Sequence, residues 1–123
     1  MSQDDKEKRE PAKVIWEGDS LEVVKGFPAA IKQKLGEDLR FLQQGLLPRD
    51  SRPMKSIGSK VAELRQRDKN GWYRTIYLGV INGKIHVLHS FIKRSGKTPQ
   101  NDLDIATKRL KAVRARLRKE KEK

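Results

Sequence analysis

Between Lys55 and Lys97 the chain sets cations among groups able to move a proton: Lys55, Glu63, Arg65, Arg67, Arg74, His89, Lys93, Arg94 and Lys97. Arginine and lysine aimed at a phosphorane stabilise the negative charge that develops there, and arginine does so through a planar fork. A carboxylate or an imidazole within reach supplies general acid–base help, worth roughly 10²–10⁴-fold. Other chemistries lack their residues. No Gly-rich phosphate loop is followed by Lys and Ser/Thr, and there is no GxGxxG. Without cysteine, thiolate metal sites and disulfides are excluded. His86 and His89, three apart on a strand, are expected on opposite faces, so no shared metal and no cofactor is expected. Metal-free RNA cleavage suits what remains. RNA brings its own nucleophile, the 2′-hydroxyl, which DNA lacks.

A hairpin must position these groups. Asn82-Gly83 divides two runs of β-branched and aromatic residues, Trp72–Ile81 and Lys84–Lys93, the strongest short-range hairpin signal. The register then pairs Val80 with Ile85, Leu78 with Val87, Ile76 with His89, Arg74 with Phe91 and Trp72 with Lys93. One face is expected to run Val80, Ile85, Leu78, Val87, Ile76 and to end in Arg74, His89, Phe91 and Lys93. Tyr73, Tyr77, Leu88, Ile92 and Ile81 fall on the other.

The remaining elements follow from periodicity and punctuation. Residues 1–12 read as a disordered leader and 13–123 as one domain. Lys13–Trp16 is a short strand expected at a sheet edge. Helices are expected from about Leu21 to Phe27, capped by Asp19 or Ser20, and from Ala29 to Gln44, stopped by Gly45. Leu46 to Ser59 reads as a loop, and 61–67 as a strand. Thr98 as cap and Pro99 as first residue start a long helix with Leu103, Ala106, Leu110, Val113 and Leu117 along one seam. This is a small α+β domain: an antiparallel meander, an N-terminal helical hairpin and a C-terminal helix.

Charge narrows the partners. The chain is 35% hydrophobic and 37% charged, with a formal net charge of +13. Twelve Lys and Arg against four Asp and Glu lie between Lys93 and Lys123, so the last quarter holds over half of the excess. Nucleic acid or an acidic protein is the expected partner, with no membrane. No apolar run nears the roughly 20 residues of a membrane span. The charged N-terminus shows no signal-peptide pattern, so a cytoplasmic location is expected.

The set Leu64-Arg65, Gly71-Trp72-Tyr73-Arg74-Thr75-Ile76-Tyr77, Val87-Leu88-His89-Ser90-Phe91-Ile92-Lys93-Arg94, Lys97-Thr98-Pro99 and Ala106-Thr107-Lys108-Arg109 resembles the RelE/HigB-type toxins. These belong to the RelE/ParE superfamily, and the phage-derived branch is most similar. The resemblance spans about residues 13–112. It implies a small α+β fold and the toxin half of a toxin–antitoxin pair. It also implies a helix-turn-helix antitoxin as partner, and ribosome-dependent cleavage of mRNA. On that pattern Arg74 contacts the scissile phosphate, and Lys93 with Arg94 stabilises the transition state. Val61 and Glu63 stand where the best-known RelE toxins carry two lysines, and Gln100 falls near their catalytic tyrosine. That leaves Glu63 and His89 as candidates for the general base. Arg65, Arg67, Lys55 and Lys97 are the expected RNA contacts.

Two other readings remain open: a ParE-like poison of DNA gyrase, and a non-catalytic basic module for RNA or protein. The nuclease reading requires Arg74 and Arg94 to converge on one phosphodiester. It also expects Arg74→Ala to abolish activity with the fold unchanged. A plainer role for Arg74 is an ion pair with Glu63.

Overall fold

The computed structural model describes residues 10–94 and 99–121. Most of the expected leader, as well as Lys97 and Thr98, lies outside the described residues. Ala12, placed with that leader, is buried, and its backbone is bonded to Gln43.

The elements in order are β1 (Lys13–Trp16), α1 (Ser20–Lys25), α2 (Ala29–Gln43), β2 (Ser51–Pro53), β3 (Val61–Asp68), β4 (Gly71–Ile81), β5 (Lys84–Lys93) and α3 (Gln100–Lys121). They build one five-stranded sheet ordered β1-β5-β4-β3-β2, with helices on both faces. The α+β architecture, the meander and the edge position of β1 are as expected. β1 pairs with β5 in parallel. β2 is additional: Ser51–Pro53 pairs with Ala62–Leu64 inside what reads as a loop. Proline is tolerated there because the strand is an edge.

The hairpin turn forms as the sequence demands, with φ of 52° at Asn82 and 73° at Gly83. The register beyond it is not the uniform one. Ile81 pairs with Lys84, but Leu78 pairs with His86 and Tyr77 with Val87, before Ile76–His89 restores the expected alignment. The first irregularity is an extra residue, Leu88, on β5, and a compensating one falls at Gly79–Val80 on β4. An extra residue turns every later side chain to the other face until it is compensated. Ile85 and Val87 therefore join Tyr73, Tyr77 and Leu64 under α1 and α2, where Ile31, Leu35, Leu39 and Leu42 close the core. Leu88 and Ile81 join Ile76, Leu78 and Val61 under α3, packed by Ala106, Leu110 and Val113. Both assignments reverse the expected ones.

The same bulge brings His86 to the α3 face, where His89 also lies, correcting the expectation of opposite faces. His86 Nδ1 lies 2.9 Å from Glu17, whose carboxylate also accepts from Arg116 of α3 at 2.8 Å. His89 Nε2 lies 2.6 Å from Asp102 in the first turn of α3. Arg109 adds hydrogen bonds to the Leu88 carbonyl and to Asp19. Asp19 thus holds a distant helix, where the sequence suggests a cap on its own. Its seam being narrow, α3 is held by these polar clasps as much as by burial.

Burial raises the Glu17 carboxyl, but hydrogen bonds from Arg116 and His86 outweigh it and hold the group below its ordinary range. A carboxyl lowered in the folded state adds stability above its unfolded pKa, and loses it as pH falls through the folded value. Resistance of the wild type to urea should therefore weaken as pH falls below the ordinary carboxyl range, with a shallower dependence in Glu17→Gln. Identical pH dependences in the two proteins would remove Glu17 from the account.

Candidate nucleic-acid interface

α3 covers the half of its sheet face nearest the hairpin turn, and among the described residues no helix covers the other half. Strand alternation on β3 and β4 sends Glu63, Arg65, Arg67, Trp72 and Arg74 to that bare half. The cross-strand pairs are Arg65–Arg74, Arg67–Trp72 and, on the next strand, Trp72–Lys93. Gly71 closes the β3–β4 turn at φ 143°, and a Cβ there would stand 3.0 Å from the Lys93 carbonyl. Any other residue would be strained at that φ and would have to displace the Lys93 carbonyl by a few tenths of an ångström.

Arg74 lies on the floor. It is 5% exposed, and its Nη1 donates to Glu63 Oε1 at 2.5 Å. The plain ion-pair role is the observed one. Around that pair the field is positive. The guanidinium carbons of Arg65, Arg67 and Arg74 stand 4.9, 5.3 and 5.6 Å from the centre of the Trp72 ring. Partial burial lowers the Lys93 ammonium below its usual range, and repulsion from Arg74 and Arg65 lowers it further against a smaller pull from Glu63. Arg65 reaches Glu63 only at 3.9 Å. One carboxylate thus faces four cations, and an incoming anion would relieve the strain among them.

The expected site residues divide. Glu63, Arg65, Arg67, Arg74 and Lys93 come together. His89 lies on the same face, stacked at 5.4 Å on Phe91, the cross-strand partner of Arg74. Its Nε2 is held by Asp102, and its Nδ1 is buried without a partner among the described residues. Arg94 goes elsewhere. Next to Lys93 on an extended chain, it turns away from Arg74, its charge acts on Tyr73 and its Cγ lies near Gly71, and it lines a hollow at the β5 edge with His89, Phe91 and Asp102. The expected convergence of Arg74 and Arg94 does not form. Lys55 is also remote, lining a hollow with Leu47, Lys60 and Gly79 towards the other end of the sheet. The sequence reading missed Trp72 and Arg52, which share a small hollow with Arg65 and Asp50. An indole flanked by arginines at strand spacing was the available signal.

A family model described as Phage derived protein Gp49-like matches residues 22–111, which hold every strand of the meander and every cation of the bare half-face. The chain belongs to the Gp49-like family. Among solved structures, the Gp49-like chain is similar to one from the toxin–antitoxin complex RelBE2 of Mycobacterium tuberculosis. The two are 14% identical with a TM-score of 0.49, and the match covers 72% of this chain and 98% of the other. No curated protein matches the chain. Among the described residues no helix is long and apolar enough to cross a membrane.

Removing one member of a buried ion pair strands the other charge. Glu63→Ala and Arg74→Ala should each cost about 3–5 kcal/mol in denaturant unfolding. The double variant should cost less than their sum by more than about 1 kcal/mol. Strict additivity would mean that the pair does not form in solution. Arg74→Ala is accordingly no clean probe of activity, contrary to the expectation of an unchanged fold.

Proposed function

We propose that this Gp49-like protein is the toxin of a toxin–antitoxin pair and halts translation by cutting mRNA on the cationic half-face of its sheet, with Arg65, Arg67 and Lys93 taking the place of the Arg74–Arg94 pair that the sequence reading required. The observation that carries the reading is the excess of positive charge from Arg65, Arg67 and Lys93 around a buried Glu63–Arg74 pair, on a part of the sheet that no helix among the described residues covers. The family assignment supports it, as does the resemblance of the strand motifs to RelE/HigB-type toxins. The proposed partners are a helix-turn-helix antitoxin, the ribosome and mRNA, in the cytoplasm.

In this reading Arg65, Arg67 and Lys93 hold the backbone and neutralise the phosphorane. Arg74 orients Glu63 from below. Glu63 takes the 2′-hydroxyl proton on Oε2, which is buried and has no hydrogen-bond partner among the described residues, so that substrate must part the surrounding cations to reach it, while Oε1 stays engaged by Arg74. The bond formed joins the 2′-oxygen to phosphorus, and the bond broken is from phosphorus to the 5′-oxygen, which takes a proton from solvent water as it leaves. Such hydrogen bonds commonly tighten only once substrate is bound.

A binding-only reading draws on a different observation. Each group able to move a proton has one atom engaged, Glu63 by Arg74 and His89 by Asp102, and its other atom buried. Mapping mRNA ends after brief induction separates the readings. The wild type should arrest translation and leave new ends inside coding sequence. Arg65→Ala/Lys93→Ala, with melting unchanged, should lower end formation by about 10²-fold or more, and Arg94→Ala should retain it. Arrest without new ends would favour binding alone, and intact mRNA with broken DNA would favour a gyrase poison.

A further inference from the structure

A hollow of about 120 Å3 opens on the cationic face between the β2 edge and β4, lined by Asp50, Arg52, Arg65 and Trp72. It is smaller than the roughly 300 Å3 at which pockets for drug-sized ligands begin, and suits one planar ring system. Its walls are held in place. The Arg65 amide donates to the Asp50 carbonyl at 3.3 Å, Ser51 pairs with Leu64, and the Ser51 hydroxyl lies 2.7 Å from that of Tyr77. The Nε of Arg65 is buried and has no hydrogen-bond partner among the described residues.

An aromatic ring beside a guanidinium plane is the surface on which unpaired bases stack. The acid in the lining makes the hollow more than a phosphate seat. An ionised carboxylate only accepts hydrogen bonds, and it repels phosphate. Two adjacent N–H donors on one edge satisfy it best. Guanine presents N1–H beside its 2-amino group. Adenine and cytosine set their amino group beside an acceptor nitrogen, and uracil sets its one N–H between two carbonyls. We infer that the hollow seats one guanine base of single-stranded RNA. The ring lies against Trp72 and Arg65, its Watson–Crick edge meets Asp50, and Arg52 meets the adjoining phosphate. The inference rests on the RNA reading above and specifies which base that surface reads.

The test is tryptophan fluorescence of the full chain titrated with the oligoribonucleotides UUGUU and UUAUU at low salt, with Trp72→Phe identifying the responding indole. UUGUU should bind at least about fivefold tighter than UUAUU, as expected of a bidentate base contact. Asp50→Asn should bring the two within about twofold, and Trp72→Ala should weaken UUGUU at least about fivefold. Equal binding of the two oligomers to the wild type, or a preference untouched by Asp50→Asn, overturns the guanine seat and leaves the RNA reading standing. Binding of neither oligomer overturns both.

Discussion

A guanidinium can be buried only with a carboxylate at hand, and the Glu63–Arg74 pair is where this sheet meets that condition. The rest of the bare half-face follows from it. With the local carboxylate committed to Arg74, the neighbouring Arg65, Arg67 and Lys93 are left in excess. Burial first, and then repulsion from Arg74 and Arg65, lowers the Lys93 ammonium. A surface poised this way gains most from a ligand that carries several negative charges in a row. A phosphodiester backbone does, and a single metabolite phosphate does less well.

The second constraint is coverage. α3 lies over the sheet where His86, Leu88 and Leu78 face it, and its clasps run from Asp102 at one end to Arg116 at the other. The β5 bulge makes this arrangement possible, because it turns His86 towards the helix on the side where His89 already lies. It also assigns Ile85 and Val87 to the core beneath α1 and α2. One extra residue thus decides which half of the face is roofed and which stays open. Bulges often re-aim side chains beside functional surfaces.

Much of this was legible in the sequence, for identifiable reasons. Asn82-Gly83 must take positive φ, so the hairpin and the order of the meander could be read directly. Ile31, Leu35, Leu39 and Leu42 announce α2 by spacing alone. The bulge left no such mark, since an inserted leucine among apolar neighbours changes neither composition nor apparent alternation. The faces of Ile85, Val87, Leu88 and His86 were misread for that reason. β2 escaped notice because three residues ending in Pro53 look like a loop until β3 pairs with them. With β2 unseen, the hollow joining Arg52 and Asp50 to Trp72 had no wall to form it. Arg94 was grouped with Arg74 on charge and motif, although one step along a strand reverses direction. The Glu63–Arg74 pair was visible as the plainer alternative, and the coordinates favour it.

The central claim is that Arg65, Arg67 and Lys93 engage an RNA backbone, and the salt dependence of binding tests it most directly. Each phosphate contact to a single strand contributes about 0.7 to the slope of log affinity against log salt. Measured with one oligoribonucleotide, Arg65→Ala/Lys93→Ala should lower the slope by about 1.4 relative to wild type. An unchanged slope with unchanged affinity would show that the backbone is held elsewhere, and would contradict the account.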